Sequence, residues 1–212
     1  MFKLIYTDVT NLSDREFKRL CRSLSTERLI KVQAQKNKDD KYLSVAAGYL
    51  LETALNGLGV VNPQICCNEH GKPYLKNSDI YFNISHSGKV AVCAVSSVEV
   101  GVDVQQVKPV SYNLIKKVCT QEEYAYVTQS DGGVYQRFCR LWSVKESAIK
   151  CLGKGLSLSP SRVSVNLSNP SSVCVDGVEG ELYFKEYALS GYCISACSTV
   201  DCFVPEIEEV PI

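Results

Sequence analysis

The sequence predicts an α+β fold made of two similar halves, on three observations. β-Rich runs stand at the start, middle and end of the chain with helix-patterned segments between them. The order strand, helices, strands is traversed twice, in stretches of similar length. No Gly/Pro/Ser-rich linker separates the stretches, so a boundary after residue 101 gives halves 1–101 and 102–212 joined side by side, with any cleft between them. No sequence repeat is detectable, and the similarity rests on element order alone. With 212 residues, 45% hydrophobic and 22% charged, the chain has the size and composition of a globular protein with an ordinary core.

The elements follow in order. "MFKLIYTDVT" reads as a strand and is too short and polar for a secretory signal. "NLSDREFKRLCRSL" opens on Ser13 with Glu16 three residues on, the capping-box signature of a helix start. Ser25 caps a second helix, "STERLIKVQAQ", and "KNKDDKYLSVAAGYLLETALNGLG" makes a third that ends at its glycines. "PYL" and "IYFNIS" read as short strands, with a turn at Ser85-His86-Ser87-Gly88. "VAVCAVS" and "VEVGVDV" read as a hairpin or adjacent pair through Ser96-Ser97. Residues 112–128 return to helix, with a second capping box at Thr120 and Glu123. "SDGG" breaks the chain before the helix containing "LWSVKESAIKCL", and "RVSVNL", "SVCV", "ELYFKEYAL" and "YCISACS" close it as strands.

Composition excludes several classes. Lys plus Arg equals Asp plus Glu at 23 each, which argues against bulk attraction to nucleic acid or to a membrane surface. No apolar run approaches the roughly 20 residues that span a bilayer. Eleven cysteines in no regular framework point to reduced thiols and a cytoplasmic location, most of them acting as small buried hydrophobes. Cys66, Cys67 and His70 match no zinc spacing, and Cys193, Cys197 and Cys202 lack a fourth ligand.

Four stretches carry chemistry. In "LWSVKESAIKCLGKGL", Trp142, Glu146 and Lys150 stand four residues apart, so they span only about 80° of a helix and put an aromatic ring, a carboxylate and an ammonium on one face. The bland alternative is a surface Glu146–Lys150 pair beside a buried Trp142. "GKPYL" holds Lys72 and Pro73, and "FNISHSG" offers Ser85 and His86 to a phosphate or ribose. Adjacent Ser85 and His86 point to opposite faces of a strand and do not suit hydrolase chemistry. In "GVDVQQ", Asp103 lies within an apolar β run, where a carboxylate is costly unless something pairs with it. Asp103 and Glu146 with phosphate oxygens and water form the kind of site Mg²⁺ prefers, and Lys72, Lys150 and Lys154 can neutralise phosphate. The Gly153-Lys154-Gly155 turn is not a Walker A loop. The residues alone define a phosphoryl-handling enzyme.

Taken together and in this order, "GKPYL", "FNISHSG", "GVDVQ" and "LWSVKESAIKCLGKGL" resemble the 4′-phosphopantetheinyl transferase superfamily, of the surfactin-synthetase-activating type, from about residue 5 to about residue 200. The resemblance implies a pseudo-dimer of two α+β halves with coenzyme A in the cleft between them. It implies transfer of phosphopantetheine from coenzyme A to a serine of an acyl, aryl or peptidyl carrier protein, giving the holo carrier and adenosine 3′,5′-bisphosphate. Such enzymes serve nonribosomal peptide, polyketide or fatty acid synthesis, use Mg²⁺ with Mn²⁺ as a substitute, and work as monomers. Carried over by position, Asp103 and Glu146 match metal ligands, Glu146 is the leading general base, and Glu123 matches an assisting acid. Lys150 matches the lysine facing the phosphates. Lys72, Pro73, Ser85 and His86 match coenzyme A contacts, and Arg28, Lys31 and Ser44 match the set around its 3′-phosphate. Lys154 closes the turn over the site, and residues 110–135 are the expected carrier surface.

Two positions depart from the pattern. Gln105 stands where a third metal-binding Glu is common, so it binds the ion weakly or through water, and Leu43 stands where relatives often carry a basic residue. Gln105 keeps a rival reading in view, a non-catalytic module that binds coenzyme A or a carrier. A nucleotide enzyme of another class is the second rival.

Overall fold

The computed structural model describes residues 1–129, 132–166 and 172–212. Ser130 and Asp131 of the expected break, and Leu167 at the end of "RVSVNL", lie outside them. Strand β1 (Phe2–Asp8) leads into helices α1 (Asp14–Cys21), α2 (Thr26–Gln33) and α3 (Lys38–Gly57). A small ribbon follows, β2 (Ile65–Cys67) with β3 (Pro73–Leu75), then β4 (Tyr81–Ser87), β5 (Val90–Ser96) and β6 (Val100–Gln106). Helices α4 (Tyr112–Val118), α5 (Gln121–Val127) and α6 (Val134–Leu152) come next. Strands β7 (Val163–Val165), β8 (Ser172–Val175), β9 (Glu181–Leu189), β10 (Tyr192–Ser198) and β11 (Glu208–Glu209) end the chain.

Local chemistry sets the helix starts. Ser13 Oγ accepts from Glu16 N while Glu16 Oε2 accepts from Ser13 N, and Thr120 and Glu123 exchange the same two bonds. Ser25 caps α2 by accepting from Arg28 N at 3.3 Å. Gly153, at φ 64°, closes α6 in the left-handed conformation that a glycine adopts without strain.

The strands form two main sheets, ordered β11-β1-β5-β4 and β6-β10-β9-β8-β7. The expected β5–β6 pair does not form. Both edges of β5 are taken, by β1 and by β4, so residues 97–99 carry the chain into the second sheet. The hairpin is β4–β5, turning at Gly88, and Ser85–Ser87 are strand rather than turn. A boundary after residue 101 would cut β6, whereas the chain passes between the sheets at 97–99.

Strand alternation sorts side chains into layers. Ile5, Ala91, Cys93 and Val95 face α3, while Leu4, Val90, Val92 and Ala94 meet Val100, Val102, Val104, Ile194 and Ala196 of the second sheet. The opposite face of that sheet packs on α6. The C-terminal segment returns to the first sheet, where Phe203 packs edge-on against Phe2 at 5.2 Å and β11 runs parallel to β1. Six of the eleven cysteines are buried, at 93, 119, 139, 151, 193 and 197. No helix among the described residues is long and apolar enough to cross a membrane.

Candidate active site

The candidate site lies where edge strands β4 and β6 meet, between α2–α3 on one side and α6 on the other. Side chains alternate along β4, and Asn83, Ser85 and Ser87 all turn toward β6. Asn83 Oδ1 accepts from Val102 N at 2.9 Å and Ser87 Oγ from Gln106 N at 3.1 Å, replacing the strand partner that β6 lacks on that edge. Between them Ser85 Oγ donates to Asp103 Oδ1 at 2.8 Å.

The opposite wall depends on Gly101. A methyl group there would sit 2.0 Å from Ser147 O and 2.3 Å from Cys151 N, so α6 rests with its backbone against bare β6 backbone. This approach brings Lys150 within reach of Asp103. Lys150 Nζ donates to Asp103 Oδ1 (2.6 Å), Ser85 Oγ (2.8 Å) and Val102 O (3.3 Å). Gln105 Nε2 donates to Asp103 Oδ2 at 2.7 Å. The carboxylate, 2% exposed, thus has partners on both oxygens, which offsets its burial.

Glu146 lies half-buried one turn before Lys150 on the same face of α6. The Glu146–Lys150 pair of the bland reading is not made, because the ammonium bonds Asp103 instead. Burial first, and the neighbouring Asp103 carboxylate second, push Glu146 above its ordinary value, while Lys150 pulls it partly back. Trp142 is half-buried, stacks at a tilt on Phe138 against the core beneath α4 and α5, and also forms cleft wall.

Arg28, Lys31, Ser44, Ile84, Ser85, His86, Asp103, Gln105, Trp142, Glu146 and Lys150 line a single open cleft of about 700 Å³. Arg28 and Lys31 also border a second groove of about 800 Å³, which runs between α2, α3 and the β2–β3 ribbon and includes Pro73. Arg28 lies over Gly48, where a methyl group would meet its Cγ at 2.9 Å, and donates from Nη2 to Ser44 O at 2.8 Å. Its Nε is buried with no partner. At the mouth, the crowded walls and then Lys150 and Arg28 hold the His86 imidazole below its usual value. Leu43 is packed in the first core, so the neighbouring Ser44 is the residue that faces the cleft.

Four expected residues do not line the cleft, Pro73 being one of them, in the second groove. Glu123 is 1% exposed and belongs to the α5 cap. Its Oε1 accepts from Val165 N at 2.9 Å and its Oε2 pairs with Lys145 Nζ at 2.6 Å. Lys72 turns to the C-terminal end of α6, where Nζ donates to Cys151 O (2.8 Å) and Glu99 Oε2 (2.5 Å), a position that suits a cation at free helix carbonyls. Lys154 lies in the turn beyond α6, outside the cleft lining. Sequence reasoning passed over Gly101, Asn83 and Lys145. A glycine inside a buried β run is itself a signal of close backbone approach and could have revealed the first.

Two neighbouring carboxylates, an ammonium and a buried guanidinium with a spare donor meet in one cleft, the kinds of group that phosphoryl-handling sites use. The comparisons with known proteins narrow this. The 4′-phosphopantetheinyl transferase superfamily model matches residues 99–197, the stretch from β6 through β10. A 4′-phosphopantetheinyl transferase of Bacillus subtilis is 32% identical over 93% of this chain and 92% of its own length. The Sfp transferase of Bacillus subtilis strain 168 is 31% identical over 97% and 95%, and the gsp transferase of Aneurinibacillus migulanus 28% over 93% and 86%. The chain belongs to the 4′-phosphopantetheinyl transferase superfamily and is an enzyme of that class.

Proposed function

We propose that the cleft moves 4′-phosphopantetheine from coenzyme A to a serine hydroxyl of an acyl, aryl or peptidyl carrier protein, releasing adenosine 3′,5′-bisphosphate. The observation that carries this reading is the meeting of Asp103, Glu146 and Lys150 beside Arg28 and Lys31 in one cleft. The repeated strand order, β1-β5-β4 and β6-β10-β9, with one long helix on each sheet, supports a pseudo-dimer whose cleft holds coenzyme A.

Arg28 and Lys31 face the phosphates of the donor. The buried Nε of Arg28 is a donor without an acceptor, which an incoming phosphate oxygen would satisfy. Ser85 and His86 border the same path. The oxygen donors fit Mg²⁺: Asp103 and Glu146 supply carboxylates, and the Gln105 amide oxygen becomes a ligand if the amide turns. When bound, the ion neutralises the diphosphate and polarises the phosphorus under attack.

The remaining chemistry belongs to the side chains. Glu146 takes the proton of the carrier serine as its oxygen attacks. Lys150, fixed by Asp103 and Ser85, balances charge on the departing phosphate. The nucleophile is the partner's, so no internal triad is needed. We further propose a monomer acting in the cytoplasm.

The test is to weigh an apo carrier after incubation with the protein, coenzyme A and Mg²⁺. A gain of one phosphopantetheine with release of adenosine 3′,5′-bisphosphate is the expected result. Stable binding of coenzyme A or carrier with no gain would replace this reading with that of a binding module.

A further inference from the structure

Helix α6 lies on the second sheet along a seam of small side chains. Cys139, Ser143, Ser147 and Cys151 recur at every fourth position and face Cys193, Ser195 and Cys197 of β10 and Gly101 of β6. Ser143 Oγ donates to Ser195 Oγ at 2.7 Å in the middle. Each end of the seam sets two thiols on facing elements, Cys139 and Cys151 on α6 opposite Cys193 and Cys197 on β10.

The first pair is fixed from both sides. Cys193 is the cross-strand partner of Gln105, and Cys139 Sγ donates to Gln105 O at 3.5 Å. Gln136, one helical turn before Cys139, donates from Nε2 to Cys193 Sγ at 3.5 Å and accepts a contact from that sulfur at its carbonyl oxygen at 3.9 Å. All four thiols are buried, but access differs: Cys139 and Cys193 are 6% and 5% exposed and Cys193 borders an open surface groove of about 720 Å³ with Gln136, Arg140 and Glu186, whereas Cys151 and Cys197 are 1% and 0% exposed.

We propose that Cys139 and Cys193 form an oxidisable dithiol, a modification site whose reactant is a peroxide small enough to enter that groove. The Cys193 sulfur attacks one peroxide oxygen, the O–O bond breaks, and water leaves with Cys193 as a sulfenic acid. The Cys139 sulfur then displaces that hydroxyl, which departs with the Cys139 proton as a second water, and the S–S bond forms. Two thiols are oxidised by two electrons and one hydrogen peroxide is reduced to two waters. The link fastens α6 to β10 behind Gln105 and removes the Cys139 hydrogen bond to the Gln105 carbonyl.

The site does not depend on the transfer reaction, and neither does its test. The whole protein is treated with hydrogen peroxide, free thiols are alkylated, and the proteolytic peptides are weighed. A peptide pair joined through Cys139 and Cys193 is expected, forming at least about ten-fold faster than any Cys151–Cys197 link, since access governs thiol oxidation. Dithiothreitol is expected to remove it. In Cys139→Ala the Cys193 sulfenic acid is expected to persist and to be trapped by dimedone. If that variant does not fold, the wild-type peptide map still decides. Oxidation confined to the exposed Cys67 and Cys174, or a Cys151–Cys197 link forming equally fast, would overturn the proposal.

Discussion

Helix α6 holds two lysine–carboxylate pairs five residues apart, and they are built for opposite purposes. Lys145 is fully buried, and its ammonium meets Glu123 Oε2 together with the carbonyls of Val118 (3.1 Å), Pro160 (3.1 Å) and Val163 (2.6 Å). Glu123 has both oxygens engaged. That pair is closed, and it ties α4, α5, α6 and β7 together. Lys150 and Asp103 form an open pair: the Lys150 side chain is 27% exposed, the cleft reaches both residues, and Glu146 stands beside them held above its normal value. Bond lengths do not separate the two, since both ion pairs measure 2.6 Å. What separates them is exposure: the Lys145–Glu123 pair is sealed from solvent, whereas the Lys150–Asp103 pair borders the cleft beside Glu146.

The largest expected effect comes from the open side. Glu146→Gln should lower transfer by about 10²- to 10⁴-fold, the usual contribution of a positioned base, with the fold intact. Turnover within about ten-fold of wild type would remove Glu146 from its assigned step.

On the closed side the effect should fall on stability. Lys145→Met leaves Glu123 buried and unpaired, and the expected loss is about 3–5 kcal/mol in urea unfolding. Adding Glu123→Leu should recover much of it, and coenzyme A binding by the folded fraction should stay unchanged. A loss confined to activity would erase the distinction between the pairs. Gly101→Ala tests the contact on which the open pair depends. With a methyl group 2.0 Å from Ser147 O, α6 must shift, at an expected roughly 1–3 kcal/mol and with Lys150 drawn away from Asp103. An alanine variant with wild-type stability and transfer would show that the approach is not needed.

The smallest effect is a pH dependence. The folded-state pKa of Glu146 lies above its unfolded value, so its contribution to stability is full in acid and is lost as pH rises through the folded pKa. In the absence of divalent cation, Glu146→Gln should therefore be the more stable protein at neutral pH. The difference should vanish below about pH 4, near the ordinary carboxylate value. A variant less stable than wild type at neutral pH would contradict the burial cost assigned to Glu146.

How far the sequence could be read follows the same division between local and distant partners. The capping boxes at Ser13 and Thr120 and the end of α6 at Gly153 were legible because each is decided within a few residues. The common face of Glu146 and Lys150 was legible for the same reason, and so was the cost of a buried Asp103, though not its partners. The β5–β6 hairpin was misread because strand pairing is decided by distant segments, here β1 and β10. Glu123 was visible as a cap, but nothing in its neighbours showed that Lys145, about three turns into another helix, would close over it. Lys72 was misplaced for a related reason: its partner is the carbonyl end of a helix 79 residues away.

The account stands on the open pair being a ligand site, and calorimetric titration of Mg²⁺ in the presence of coenzyme A measures that most directly. Saturable binding is expected in wild type, in Glu123→Gln and in Lys145→Met, and its loss is expected in both Asp103→Asn and Glu146→Gln. Undiminished binding in those last two variants would contradict it.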